Sequence, residues 1–352
     1  MARRRQTKRR KKRSGAGFLR GAGFLRAVLL VLLLAAGAGT VWMVLEPYGP
    51  ETETFVEIAP GATTARIGRQ LEAAGIVRSR YGFDIARWWT RGTLKAGEYR
   101  FDHPAAASEV YARIARGDVF TKAVTLPEGA NVFEIAARLE QAGFGKQQEF
   151  LNEAVKQVSL VTDLDPGAKS LEGYLFPDTY HFARKATAAQ ICAAMVRRFR
   201  AVAGQIGLKG NVHRVVTLAS LVERETALDA ERPLVASVFE NRLAKRMPLM
   251  TDPSVIYGLE LQGRWRGVIH ESDLKRNTPY NTYLHAGLPP GPVANPGLHS
   301  LRAAMEPART NYLYFVAAGA DPQGGSLFAS TGKEHARNVA SYRNAMKKAG
   351  AR

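Results

Sequence analysis

The chain has 352 residues, a formal net charge of +19 and close to half of its residues apolar, which allows two domains with packed cores. Eleven lysines and arginines, and no acid, fall within residues 1–26, so the charge is a tail and not the dense basic stripe of a nucleic-acid binder. The single cysteine, Cys192, excludes an intrachain disulfide, and the seven histidines show no metal-ligand spacing. No metal or nucleotide cofactor is expected, since "STGKE" (330–334) lacks the flanking residues of a phosphate-binding loop.

Behind the tail, Ala27–Leu45 is a run of 19 residues without a charge, about 28 Å as a helix and close to a bilayer core. The basic side precedes it and Glu46 follows it. That polarity predicts a cytoplasmic tail over 1–26, a transmembrane helix over 27–46 and an exported remainder. The run is long for a signal-peptide core, and "YGPET" is a poor cleavage site, so an uncleaved anchor is expected.

"FVEIA" (55–59) reads as a strand, 63–74 as a helix, 79–91 as a second helix, "AGEYRF" (96–101) as a strand and 107–117 as a helix ended by glycine. Strand–helix–helix–strand units of this kind resemble LysM modules, which bind glycans containing N-acetylglucosamine. A spacer domain fits the same pattern. Residues 51–120 are assigned to this LysM-like module. Part of it recurs at an offset of 68: Gly61, Ile67, Leu71, Glu72, Ala74 and Gly75 return as Gly129, Ile135, Leu139, Glu140, Ala142 and Gly143. One repetition is too few for a solenoid.

From 121 onward the pattern predicts a strand (121–126), helices at 131–142 and 147–157, an aromatic loop and strand (170–182), and a helix at 187–203 that buries Cys192. A helix over 215–228 follows, then a helical stretch (227–247) with Pro233 near its start. "TDPSVIYG" offers another helix start, with Asp252 as cap and Pro253 in the first position. Residues 277–297 form a long irregular loop. A helix near Ser300, strands within 311–318 and 326–330, and a helix at 333–348 complete an α+β chain.

Glu223 and Glu225 interrupt the apolar run "LASLVERETA" (218–227). On one helix they lie about 160° apart, so they do not form a catalytic pair. Glu225 has Leu221 and Val222 behind it and Leu228 and Asp229 ahead. Apolar neighbours and a like charge both raise a carboxylate's pKa, as a general acid requires. The competing reading pairs both glutamates with Arg224 and Arg232. In the loop, Asn281 and Tyr283 offer amide and aromatic groups suited to sugars, and proline stiffening explains the same loop structurally.

"LEGYLFPDTY", "LASLVERETALDAERPLVASVFENRL", "TDPSVIYG", "YNTY" and "GLPPGPVANPG", in this order, resemble the endolytic murein transglycosylase (YceG-like) family. The resemblance implies an inner-membrane enzyme that cuts nascent peptidoglycan within the strand, with a LysM-like module before a catalytic domain (121–352). It implies coordination with cell-wall synthases, and one catalytic glutamate in the E-x-E-T block. Glu225-Thr226 is similar to the Glu-Ser pair of other lytic transglycosylases. Glu225 is therefore expected to be catalytic. Glu223, Asp252, Ser254, Asn281 and Tyr283 are expected around the substrate. Met250 stands where relatives have a polar residue. The rival expectation is a membrane-anchored, non-catalytic peptidoglycan-binding scaffold.

Overall fold

The computed structural model describes residues 16–321 and 324–350; residues 1–15 of the expected tail lie outside them. The chain divides into two compact units, Met1–Phe120 and Thr121–Arg352.

The first unit begins with α1 (Ala16–Leu45), whose stretch Phe24–Leu45 is 22 residues long and almost wholly exposed. That is about 33 Å of apolar helix without a protein partner, consistent with a membrane anchor. Among its described side chains, Val44 in the last turn is the one buried in the unit's core. β1 (Thr54–Ile58) pairs antiparallel with β2 (Gly97–Phe101), Val56 opposite Tyr99. Between them run α2 (Thr64–Ala73) and α3 (Arg80–Thr90), and α4 (Ala107–Arg116) follows. Thr63 and Ser79 cap α2 and α3 by accepting from Arg66 N and Tyr81 N. Ile67, Leu71, Phe83, Tyr99 and Tyr111 close a core of their own.

The second unit runs β3 (Lys122–Leu126), α5 (Val132–Gln141), α6 (Gln147–Lys156), β4 (Asp178–Phe182), α7 (Ala188–Gln205), α8 (Val212–Glu225), α9 (Arg232–Ala244), α10 (Asp252–Leu261), α11 (Glu271–Leu274), α12 (Leu298–Met305), β5 (Tyr314–Ala317), β6 (Ser326–Ala329) and α13 (Gly332–Lys348). β3 pairs antiparallel with β4, and β5 with β6. Two-stranded ribbons are marginal alone, so the helices carry the core. The mixed α+β expectation holds for the described residues. The repeat has a backbone reason as well: Gly61, Gly75, Gly129 and Gly143 all have φ between 68° and 77°, a conformation that a side chain strains.

α8 is the central helix. Val216, Leu218, Leu221 and Val222 are fully buried against α9, α10 and α12. It ends at Glu225, three residues earlier than the sequence pattern suggests. Thr226 is extended; its Oγ1 accepts from Leu228 N at 3.1 Å and donates to Glu231 Oε2 at 3.2 Å. This local hydroxyl turn replaces the next helical bonds. Leu228 and Asp229 are therefore not helical neighbours of Glu225. Cys192 is buried in α7, where burial pushes its thiol up to about 12, leaving it an inert core residue.

Candidate active site

The two glutamates of α8 have separate surroundings. Glu223 receives Arg232 Nη1 at 2.6 Å and Gly297 N at 2.8 Å. Arg232 is itself buried and also binds Asp229 through Nε at 2.9 Å and Ser300 Oγ at 2.5 Å. The arginine pairing that competed with a functional reading thus applies to Glu223. Arg224 turns to Gly129 O at 3.0 Å and to Glu134. Glu223 joins α8 to α9 and to the end of the long loop, and it is absent from the cleft walls.

Glu225, at the helix end, faces two cavities. One of about 490 Å³ is walled by Arg242, Met250, Asp252, Tyr283, Tyr314 and His335. Another of about 280 Å³ is walled by Thr226, Glu231, Ala317, Ser326 and Tyr342. Among the described residues, no hydrogen bond or ion pair holds the Glu225 carboxyl. Part of the residue's surface opens to these cavities, while packed protein encloses most of the carboxyl. Burial, with Asp252 as a like charge, pushes Glu225 up to about 7, and Arg242 opposes the shift. The like charge is Asp252 and not Asp229, which is tied to Arg232.

α10 places Asp252. Thr251 occupies the cap position, Asp252 is the first helical residue and Pro253 the second, one step along from the sequence assignment. The free N–H groups of that first turn favour an anionic side chain. Tyr283 donates its hydroxyl to Asp252 Oδ1 at 2.6 Å. Burial and that bond both raise the Tyr283 phenol, so it is a neutral donor.

Two expected substrate contacts do other work. Ser254 is fully buried, donates to Thr251 O at 2.8 Å and lies 2.9 Å from Thr282 Oγ1. Asn281 is fully buried too. Its Nδ2 donates to Leu274 O at 2.9 Å and to Arg276 O at 2.7 Å, and its Oδ1 accepts from Tyr283 N at 2.9 Å. All of its polar capacity but one lone pair is spent inside the loop. These assignments are corrected: Asn281 shapes the loop, and Ser254 bonds the loop to α10. The loop is pinned along its length. Val293 N donates to Ser220 Oγ at 3.0 Å, and Asn295 bridges Gly173 N, Leu175 N, Ala130 O and Glu172. Tyr283 is the one expected loop residue on the cleft wall.

Several wall residues were not anticipated. Arg242 donates through Nε to Leu313 O and through Nη1 to Leu249 O, both at 2.7 Å, and stands 5.4 Å from the Tyr314 ring centre. Asn241 beside it donates to Thr310 O and Tyr312 O at 2.9 Å. Together they fasten the approach to β5 onto α9. Tyr314 stacks on His335 with ring centres 5.0 Å apart. Burial and Arg242 push the His335 imidazole down, so it is neutral at pH 7. One sequence signal existed: Val235, Val238, Phe239 and Arg242 continue one helical stripe, and an arginine at a core position calls for a task. Met250 also lines the cavity, and it has φ 55°, a strained backbone for a non-glycine residue.

The site is thus a largely enclosed, unpaired acid between two cavities, with Asp252, Arg242, Tyr283, Tyr314 and a neutral His335 on one side and Glu231 and Tyr342 on the other. Comparison with known proteins agrees in family. The YceG-like family model matches residues 56–341. The chain is 32% identical over 321 residues to an endolytic murein transglycosylase of Bacillus subtilis (strain 168), covering 85% of this chain and 88% of that one. It is 30% identical over 355 residues to one of Streptococcus pneumoniae serotype 2, covering 90% of this chain and 64% of that longer protein. A crystal structure of a YceG-like protein from Listeria monocytogenes matches with a TM-score of 0.53 at 30% identity, over 82% of this chain and 99% of that one. The chain belongs to the YceG-like family of endolytic murein transglycosylases.

Proposed function

We propose that the chain is a lytic transglycosylase that cleaves nascent peptidoglycan between N-acetylmuramic acid and N-acetylglucosamine, with Glu225 as its only acid–base group. The observation that carries this reading is the Glu225 carboxyl, unpaired, pushed up to about 7 and reachable from two cavities. Protonated Glu225 donates to the glycosidic oxygen as the C1–O bond breaks. The resulting carboxylate takes the proton of the muramyl C6 hydroxyl, whose oxygen bonds to C1. A 1,6-anhydro end and a free 4-hydroxyl result, with no water consumed. Cavities on both sides of the acid suit a cut inside a strand. Arg242 keeps unspent N–H donors near the bound sugars, and Tyr283, whose proton goes to Asp252, offers a ring face and a hydroxyl lone pair. The anchor keeps the enzyme at the membrane with its catalytic unit on the outer side, where it terminates elongating strands beside the synthases. The strand–helix–helix–strand order of the first unit supports a LysM-like glycan-binding role there.

A second reading rests on Asp252. It faces the same cavity as Glu225, and two carboxylates about 5 Å apart are what a retaining hydrolase uses. Its bond to Tyr283 favours instead a role as the like charge that keeps Glu225 protonated. Mass spectrometry of digests of purified glycan strands separates the two. Anhydro ends without solvent oxygen support the lyase, and reducing ends carrying solvent oxygen support the hydrolase. Glu225→Gln abolishes cleavage in either case. Full cleavage by that variant removes the acid assignment, and glycan binding without turnover by the wild type leaves the scaffold reading.

A further inference from the structure

α3 carries an exposed aromatic face beside the apolar helix. Tyr81, Trp88 and Trp89 are 58%, 71% and 51% exposed, and half-buried Ile85 lies among them. At about 100° per residue, Tyr81 and Trp88 are about 20° apart, and Ile85 and Trp89 extend the face toward Gly82. Phe83 and Ala86 point the other way into the core. A three-aromatic stripe left in water is unusual for a small α/β module.

Its neighbour identifies the occupant. Gly82 abuts α1 so closely that an added Cβ would meet the Met43 carbonyl oxygen at 3.0 Å, and Met43 lies within the apolar stretch Phe24–Leu45. The same level holds interfacial residue types: half-exposed Trp42, and Arg78 with its guanidinium 4.2 Å from the Trp42 ring centre and 4.9 Å from that of Tyr48. Tryptophan, tyrosine and arginine gather where acyl chains give way to headgroups. The aromatic face of α3 thus continues the lipid-facing surface of α1, and Arg80 and Arg87 flank it for phosphate contact.

We propose that α3 lies in the membrane interface, with Tyr81, Trp88 and Trp89 seated at the headgroup–acyl boundary. This goes beyond the catalytic reading and rests only on α1 crossing the bilayer. The contact gives the first unit a second hold on the membrane and fixes its tilt there.

The test uses the full chain in vesicles of phosphatidylglycerol and phosphatidylethanolamine, with lipids brominated near the carbonyl end of the acyl chains. Trp42→Phe with Trp265→Phe leaves Trp88 and Trp89 as reporters. Trp88→Phe, Trp89→Phe and Trp265→Phe together leave Trp42, which reports on the anchor alone. Loss of Trp88/Trp89 emission in brominated vesicles, with shielding from aqueous acrylamide, is expected. Quenching of Trp42 alone overturns the proposal, whether acrylamide reaches Trp88/Trp89 or a protein surface shields them. Quenching of neither set removes the anchor reading and the proposal with it. Should the Trp42→Phe chain misfold, the difference between wild type and Trp88→Phe/Trp89→Phe reads the same pair.

Discussion

Arg232 holds Glu223 at 2.6 Å, while among the described residues no cation forms an ion pair with Glu225 two residues later, Arg242 acting on it only at longer range. The same helix therefore presents one neutralised carboxylate and one available acid. Both partners of the Glu223–Arg232 pair are buried, and removing one leaves the other's charge uncompensated. Glu223→Ala should lower stability by about 3 kcal/mol, moderated because Arg232 keeps Asp229. Urea denaturation should show the loss, and activity per folded molecule should fall less than the yield of folded protein.

Glu225 behaves in the opposite sense. Its folded-state pKa, about 7, is above the ordinary 4.5. The stability that protonation contributes is complete below about 4.5 and is lost as pH rises through about 7. Glu225→Gln should thus be as stable as the wild type at pH 5 and about 1–3 kcal/mol more stable at pH 8. It should be inactive at both. A stability gain with loss of turnover is the mark of an acid held in an unfavourable place for its chemistry.

An acid catalyst must be protonated, so kcat/KM should fall as pH rises past about 7. Asp252 is one cause of the raised value. Asp252→Asn removes that repulsion, and the alkaline limb should move to lower pH. A limb that stays in place in this variant means that burial alone sets the Glu225 value. Tyr283→Phe should preserve the fold and change the same limb less, since it leaves the Asp252 charge in place.

The helix that carries Glu225 was legible in the sequence because its apolar stripe is a local, periodic signal. Its end was not, since the Thr226 hydroxyl turn depends on Glu231 across a bend. The groups that wall the site come from α9, α10, β5 and α13, and pairing of such distant segments leaves no local trace. Asn281 marks another limit. An amide in a loop of prolines and glycines suits a sugar site and a loop clasp equally, and only the positions of Leu274 O and Arg276 O decide between them. Asn281→Ala should therefore act on stability, by about 1–3 kcal/mol for the carbonyls it leaves unpaired. A variant with wild-type stability and a raised KM would restore the sugar-binding role.

The second unit holds two further carboxyls with raised pKa away from the cleft, buried Glu172 and half-buried Glu260. Burial pushes Glu172 up to about 8, although it accepts hydrogen bonds from Val132 N at 2.8 Å and Asn295 Nδ2 at 2.7 Å. Burial, with Glu134 nearby, pushes Glu260 up to about 7. Each holds a proton in the folded state that the unfolded chain releases near 4.5. The folded state therefore binds more protons across this window, and stability falls as pH rises. Denaturation of the full chain in detergent should show stability falling between pH 5 and pH 8 by more than the Glu225 carboxyl contributes alone. Acids with lowered values, such as exposed Asp163 beside Arg200 and buried Asp273, which accepts from His270 N, act only below that range. Glu260→Gln keeps an acceptor for Asn131 Nδ2, which stands 2.6 Å from Glu260 Oε2, and should flatten part of the slope. A profile that rises from pH 5 to pH 8 would mean that these carboxyls are ionised in the folded protein.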